Sequence, residues 1–123
     1  MRNYRKLGVW QHADELTVQI YRVTQRFLST EMYGITSQLR RAAYSVPANI
    51  AEGSGRESNA DYLRFLSIAQ GSLAETEYFL HLARRLEYLS EDDWSQLTGQ
   101  VNQTFAALIG LMKAIRKSLK IDL

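Results

Sequence analysis

The chain contains no cysteine and a single proline. Without cysteine there is no disulfide, no thiolate nucleophile and no cysteine-ligated zinc. That composition suits a reducing compartment, so a cytoplasmic location is expected. One proline and seven glycines in 123 residues leave no flexible linker or low-complexity tract. A single domain over residues 1–123 is therefore expected. Long hydrophobic runs are missing too. The stretch Phe105–Met112 is cut by Lys113, and a membrane-spanning helix needs about 20 apolar residues. The opening MRNYRKLGVWQHADEL has charges but no apolar signal core, so no secretory leader is expected. Nor does one sign of charge dominate: 15 basic residues face 13 acidic ones, a net charge of +2. Such a balance permits contact with nucleic acid without demanding it.

Catalytic signatures are also absent. There is no G-x-S-x-G elbow and no Walker loop, and Gly53-Ser54-Gly55 follows a helical pattern instead of joining a strand to a helix. A di-iron bundle needs Glu-x-x-His on two helices. Here Val9 stands three residues before His12, and Tyr78 three before His81. The pairs His12 with Glu15 and Glu77 with His81 read as ordinary surface neighbours on a helix, and Glu75 and Glu77 fall on different helical faces. No catalytic residue, metal site or cofactor is expected, and an enzyme is the least favoured class.

What the chain does have is helical periodicity. Val9, Ala13, Leu16, Ile20, Val23 and Phe27 form a heptad seam, predicting a first helix over residues 8–28. A second is predicted over 36–53, with Thr36 as N-cap, Leu39, Ala43, Val46 and Ile50 on one face, and Gly53 and Gly55 as a left-handed stop. Asn59 as N-cap opens a third helix over 59–89. Ser90 with Asp93 resembles a capping box for a fourth over 90–120, carrying Trp94, Leu97, Val101, Leu108, Ile115 and Leu119. Short connections make consecutive helices antiparallel, so the expected fold is all-α, an up-down-up-down left-handed four-helix bundle.

The second helix carries the most distinctive segment, TSQLRRAAYSVPANIAEGSGR at 36–56, with Pro47 in its interior. Pro47 removes an N–H and crowds the carbonyl of Ala43, which favours a kink. This segment, with GVWQHADEL at 8–16, EMYGITSQL at 31–39 and FLSIAQGSLAETE at 65–77, resembles the four-helix-bundle family named after 23S rRNA intervening sequences. The likeness runs in order from about Leu7 to Leu89. The chain is also similar to the accessory protein of diversity-generating retroelements, which works beside a reverse transcriptase. The resemblance implies an all-helical bundle that assembles into a ring, commonly a homopentamer, and implies no known reaction. Arg40, Arg41, Asn49, Glu52, Gly53 and Arg56 match the family's signature positions. They are candidates for an interface or ligand-binding edge, or else for caps and ion pairs that hold the second turn.

Helix three is apolar on two sides. Tyr62, Phe65, Leu66, Ala69, Leu73, Thr76, Leu80 and Ala83 make one stripe; Leu63, Gly71, Ala74, Tyr78, Leu82 and Leu89 lie in another sector. A lone bundle buries one stripe about 100° wide. The second sector is either the scattered apolar exposure of any surface or a subunit interface with Leu63, Gly71, Ala74, Tyr78 and Leu82 as candidates. The resemblance to a ring-forming family favours the interface. Lys113, Arg116, Lys117 and Lys120 form a stripe at the end of helix four, and the topology places Arg2, Arg5, Lys6 and Arg56 at the same pole. The plain explanation is that cations complement a helix C-terminus. The functional one is a phosphate-binding patch whose avidity grows with copy number. A second basic group, Arg40 and Arg41 with Arg84 and Arg85, lies toward the other pole beside Glu31, Glu87, Glu91, Asp92 and Asp93, where ion pairing is expected. Together these features predict a non-enzymatic homo-oligomeric scaffold that binds RNA or DNA through a basic pole. The alternative is a protein-interaction adaptor, for example an accessory to a reverse transcriptase.

Overall fold

Four helices account for most of the chain in the computed structural model, which describes residues 2–122 and the side chains of 2–119. They are α1 (Gly8–Thr24), α2 (Ser37–Ser54), α3 (Asn59–Arg85) and α4 (Glu91–Asp122). Short turns at Tyr4–Lys6, Ser29–Glu31 and Met32–Thr36 complete the path. No strand occurs among the described residues. Each helix packs on two others, α1 on α2 and α4, and α3 on α2 and α4, which closes a four-helix bundle. Cross-helix contacts run antiparallel: Arg40 bonds Thr24 while Thr17 reaches Ala43, and Ser45 meets Ser72 while Gly53 abuts Phe65. At one pole Arg84 pairs with Glu91 and Arg26 with Asp93.

The heptad seam of α1 is buried throughout: Val9, Ala13, Leu16, Ile20, Val23 and Phe27. Leu39, Ala43, Val46 and Ile50 of α2 face them, as do Leu66, Ala69, Leu73 and Leu80 of α3 and Leu97, Val101, Leu108, Met112 and Ile115 of α4. Each large aliphatic side chain buried in this way contributes about 1.5–3 kcal/mol, so the common core dominates the fold energy.

Helix ends depart from the sequence expectation in instructive ways. α1 stops at Thr24, not Leu28, because the chain turns through i→i+3 bonds from Arg26 and Phe27 and drives Phe27 into the core. Thr36 stands at the N-cap position of α2, as expected, but makes no capping bond. It is a buried αR residue whose hydroxyl has no partner, and the chain enters α2 through a turn with non-helical backbone at Gly34. α3 is capped by Ser58 instead of Asn59, with Ser58 Oγ accepting from Asp61 N–H at 3.0 Å. It ends at Arg85, four residues before the expected Leu89. There Tyr88 N–H donates to Ala83 O and Glu87 N–H to Arg84 O, a Schellman closure. Its left-handed residue is Glu87, at φ 63°. The Ser90 cap forms as expected, accepting from Asp93 N–H at 3.1 Å.

α2 passes Pro47 as one helix from Ser37 to Ser54, with Pro47 buried. The carbonyl of Ala43, deprived of its helical donor, accepts from Thr17 Oγ1 on α1. The glycines do not supply the left-handed stop expected of them, since no described glycine has positive φ. Gly53 serves close approach instead: a Cβ there would lie 2.7 Å from Phe65 Cβ and 3.0 Å from Tyr62 Cδ1. Small residues at this contact let α2 and α3 pack closely.

Candidate functional site

The α2–α3 turn and the chain start meet at one pole, as expected, but two of the predicted cations there, Arg2 and Arg56, are engaged by groups of the turn itself. Arg2 donates to the carbonyls of Ser54 and Arg56 and to Asn59 Oδ1, and its guanidinium lies 4.5 Å from the Tyr62 ring centroid. Arg56 pairs with Glu52 at 3.1 Å and Asp61 at 3.6 Å, and stacks over Phe65. These two arginines clamp the turn, and a cleft of about 680 Å³ opens between Arg2, Ser54, Gly55 and Arg56. Arg5 and Lys6 are exposed beside them, as are Lys113, Arg116 and Lys117 on α4. Among the described residues no ion pair engages these five. α4 runs antiparallel to α1 from the Arg26–Asp93 pair, and the ~30 Å of helix between Asp93 and Lys113 returns it to the level of the chain start. The side chain of Lys120 lies outside the described residues.

The signature positions on α2 other than Arg41 have partners within the chain. Asn49 Nδ2 donates to the carbonyl of Ser45 at 2.8 Å and to its hydroxyl, which meets Ser72 Oγ of α3 at 2.9 Å. Glu52 holds Arg56, and Gly53 admits Phe65. Arg40 donates through Nε to Thr24 Oγ1 at 2.8 Å and stacks on Tyr21. Arg41 is exposed. The ion pairing expected of the second basic group is found at Arg84, bidentate to Glu91 and stacked on Trp94, whereas Arg40 uses a hydroxyl and a ring instead.

The expected core stripe of α3 is buried as a whole. Its second sector divides. Leu63 and Leu82 pack partly against the chain's own core, and Leu89 is buried there beyond the helix end. Gly71, Ala74 and Tyr78 stay exposed. Tyr78, 56% exposed, borders a cavity of about 360 Å³ with Ala74, His81, Trp94 and Thr98 between α3 and α4. Gly71, Ala74 and Tyr78 are thus the exposed members of the five residues named from sequence, with Leu63 and Leu82 half-buried.

A further surface escaped the sequence reading. Tyr21 on α1 and Tyr44 on α2, both partly exposed, flank a cavity of about 360 Å³ with Met32, Gln38, Arg40 and Arg41. Tyr33 stands 95% exposed on the preceding turn. The signal was present, because Tyr44 follows Arg40 by four and Arg41 by three and so shares their helical face.

No group of three or more His, Asp or Glu among the described residues is arranged to hold a metal. Burial raises the Tyr62 hydroxyl above the ordinary 10.0, and the charge of Arg2 draws it partly back. That hydroxyl has no hydrogen-bond partner, and it lies in the packed α2–α3 contact. It marks a structural site. None of the described helices is long and apolar enough to cross a membrane.

Fold and surface together define a helical bundle whose polar side chains mostly brace helix contacts and turns. The profile of the 23S rRNA-intervening sequence proteins matches residues 5–110, and the chain belongs to that family. A crystal structure from Bacteroides thetaiotaomicron VPI-5482, described as a protein with unknown function from the S23 ribosomal protein family, superposes with a TM-score of 0.79. It is 27% identical over 85% of this chain and 98% of its own. No curated protein matches.

Proposed function

We propose that the chain is a non-enzymatic, self-associating bundle, assembling as a homopentamer, that binds RNA or DNA electrostatically at its basic pole. The observation that carries this reading is the exposure of Arg5, Lys6, Lys113, Arg116 and Lys117 at one end. The acidic groups that form ion pairs are committed elsewhere, to Arg26, Arg56, Arg64 and Arg84. Arg2 and Arg56, counted in the patch from sequence, now belong to the turn. Tyr78 with Ala74 and Gly71 supplies the self-association surface, in a heterologous contact that closes into a ring. Several copies then present the weak patch together and raise avidity.

The test is anisotropy of fluorescein-labelled RNA at low and moderate salt. Binding should weaken steeply with salt and flatten in a Lys113→Glu, Arg116→Glu, Lys117→Glu variant. Absence of binding at low salt would remove the reading. The groove beside Tyr78 also suits a helix of a different protein, which is the adaptor alternative. A specific protein that co-purifies after nuclease treatment, with no RNA binding by the pure chain, would favour it.

A further inference from the structure

We infer that the cavity between α1 and α2 walled by Tyr21, Tyr44, Met32, Arg40 and Arg41 is a docking site for single-stranded nucleic acid, its bases stacking on the tyrosines and its phosphates meeting the guanidiniums. The inference rests on the polyanion reading above but places the base-contacting site elsewhere. Arg41 stands 15 residues from Arg56 on the same chain path, so this site lies about 20 Å up the bundle from the basic pole.

Three features converge here. First, two guanidiniums border the cavity and no carboxylate does. A polyanion complements that lining, whereas a protein surface would have to bring its own acids. Second, Arg40 is already ordered by Thr24 Oγ1 at 2.8 Å and lies 4.6 Å from the Tyr21 ring centroid. The pair is held together before any ligand arrives, which lowers the ordering cost of binding. Third, Tyr44 is 48% exposed and Tyr33 95% exposed, so aromatic faces are open to a partner at the cavity and on the turn beside it. Alternating aromatic rings and arginines serve unpaired strands because every base has a π-face. A duplex keeps its bases stacked on one another and offers these rings nothing. Gln38 and Ser37, also in the lining, add donors and acceptors for base edges.

The experiment compares a fluorescein-labelled 12-nucleotide oligouridine with a 12-base-pair RNA duplex, by anisotropy, on wild type, Tyr44→Ala, Tyr44→Phe and Arg41→Ala. Light scattering and circular dichroism are run on each. Tyr44→Ala should weaken the single strand about 5- to 100-fold, leave the duplex unchanged and preserve the salt slope, as expected for lost stacking. Tyr44→Phe should keep wild-type affinity. Arg41→Ala should lower the slope by about 0.7, the value for one phosphate contact on a single strand. Wild-type affinity in folded Tyr44→Ala would overturn the site while leaving the basic pole intact. A fall in particle mass in Tyr44→Ala would overturn it too, showing the face to be a contact between copies. Wild type binding neither probe would sink this inference and the polyanion reading together.

Discussion

Thr17 Oγ1 lies 3.1 Å from the carbonyl oxygen of Ala43, the acceptor that Pro47 leaves without its helical donor. The same hydroxyl is 2.8 Å from Ala13 O in its own helix, so its one proton is shared between two helices. A proline in a helix interior costs about 3 kcal/mol relative to alanine, and part of that cost is the stranded carbonyl. Thr17 recovers some of it and ties α1 to α2 at mid-height. Thr17→Val should therefore destabilise the chain by about 1 kcal/mol in urea unfolding. In a Pro47→Ala background, where Ala43 O regains an N–H, the loss should shrink by at least ~0.5 kcal/mol. Strict additivity in the cycle would show the two residues to be uncoupled.

Gly53→Ala sets helix propensity against packing. Alanine improves a helix interior by about 1 kcal/mol, yet here its Cβ would meet Phe65 Cβ at 2.7 Å. Overpacking of that kind costs about 1–3 kcal/mol, so the net effect is destabilisation. Gly71→Ala, with nothing within 4 Å of the added carbon, should instead stabilise the fold by up to about 1 kcal/mol. Midpoints of chemical unfolding measure both signs.

Glu87 holds the left-handed position that closes α3, at φ 63°. A non-glycine residue there costs about 1–2 kcal/mol, less the greater freedom glycine regains on unfolding. Glu87→Gly should raise stability by about 0.5–1 kcal/mol, and a fall in unfolding free energy would contradict this account of the closure.

Tyr62 predicts the alkaline limb of the stability profile. Its hydroxyl is buried without a partner, and burial raises its pKa above 10.0. Above that ordinary value the unfolded chain releases the proton first, so it binds fewer protons than the native state and stability falls as pH rises. Below it, this contribution is fully present. Tyr62→Phe should equal or exceed wild type in stability at pH 7, because no hydrogen bond is lost. It should also show a flatter decline beyond pH ~10. An equally steep decline would assign the alkaline loss to other groups.

Much of the core was legible because it repeats. The α1 seam and the main α3 stripe could be read from spacing alone, and every residue named in them is buried. Helix ends were harder: a glutamate closes α3 where a glycine is usual, and Ser58 caps it beside Asn59, an equally favoured cap type. Roles that depend on a distant partner were invisible. Nothing in the sequence tells that Arg2 will reach across to Arg56 O and Asn59, or that Thr17 will serve a carbonyl on α2. Charge counting placed Arg2 and Arg56 in a solvent-facing patch, whereas both spend their donors on the α2–α3 turn. The tyrosines of the α1–α2 cavity were overlooked because they lie off the seam, where periodicity gives no reason to look.

The most direct measurement is sedimentation velocity of the purified chain mixed with fluorescein-labelled single-stranded RNA at low salt, following protein and label together. The account predicts a protein boundary at a multiple of the 14.1 kDa chain mass, five-fold for the proposed ring, with RNA travelling in the same boundary. A lone 14.1 kDa species with the RNA sedimenting by itself would contradict it.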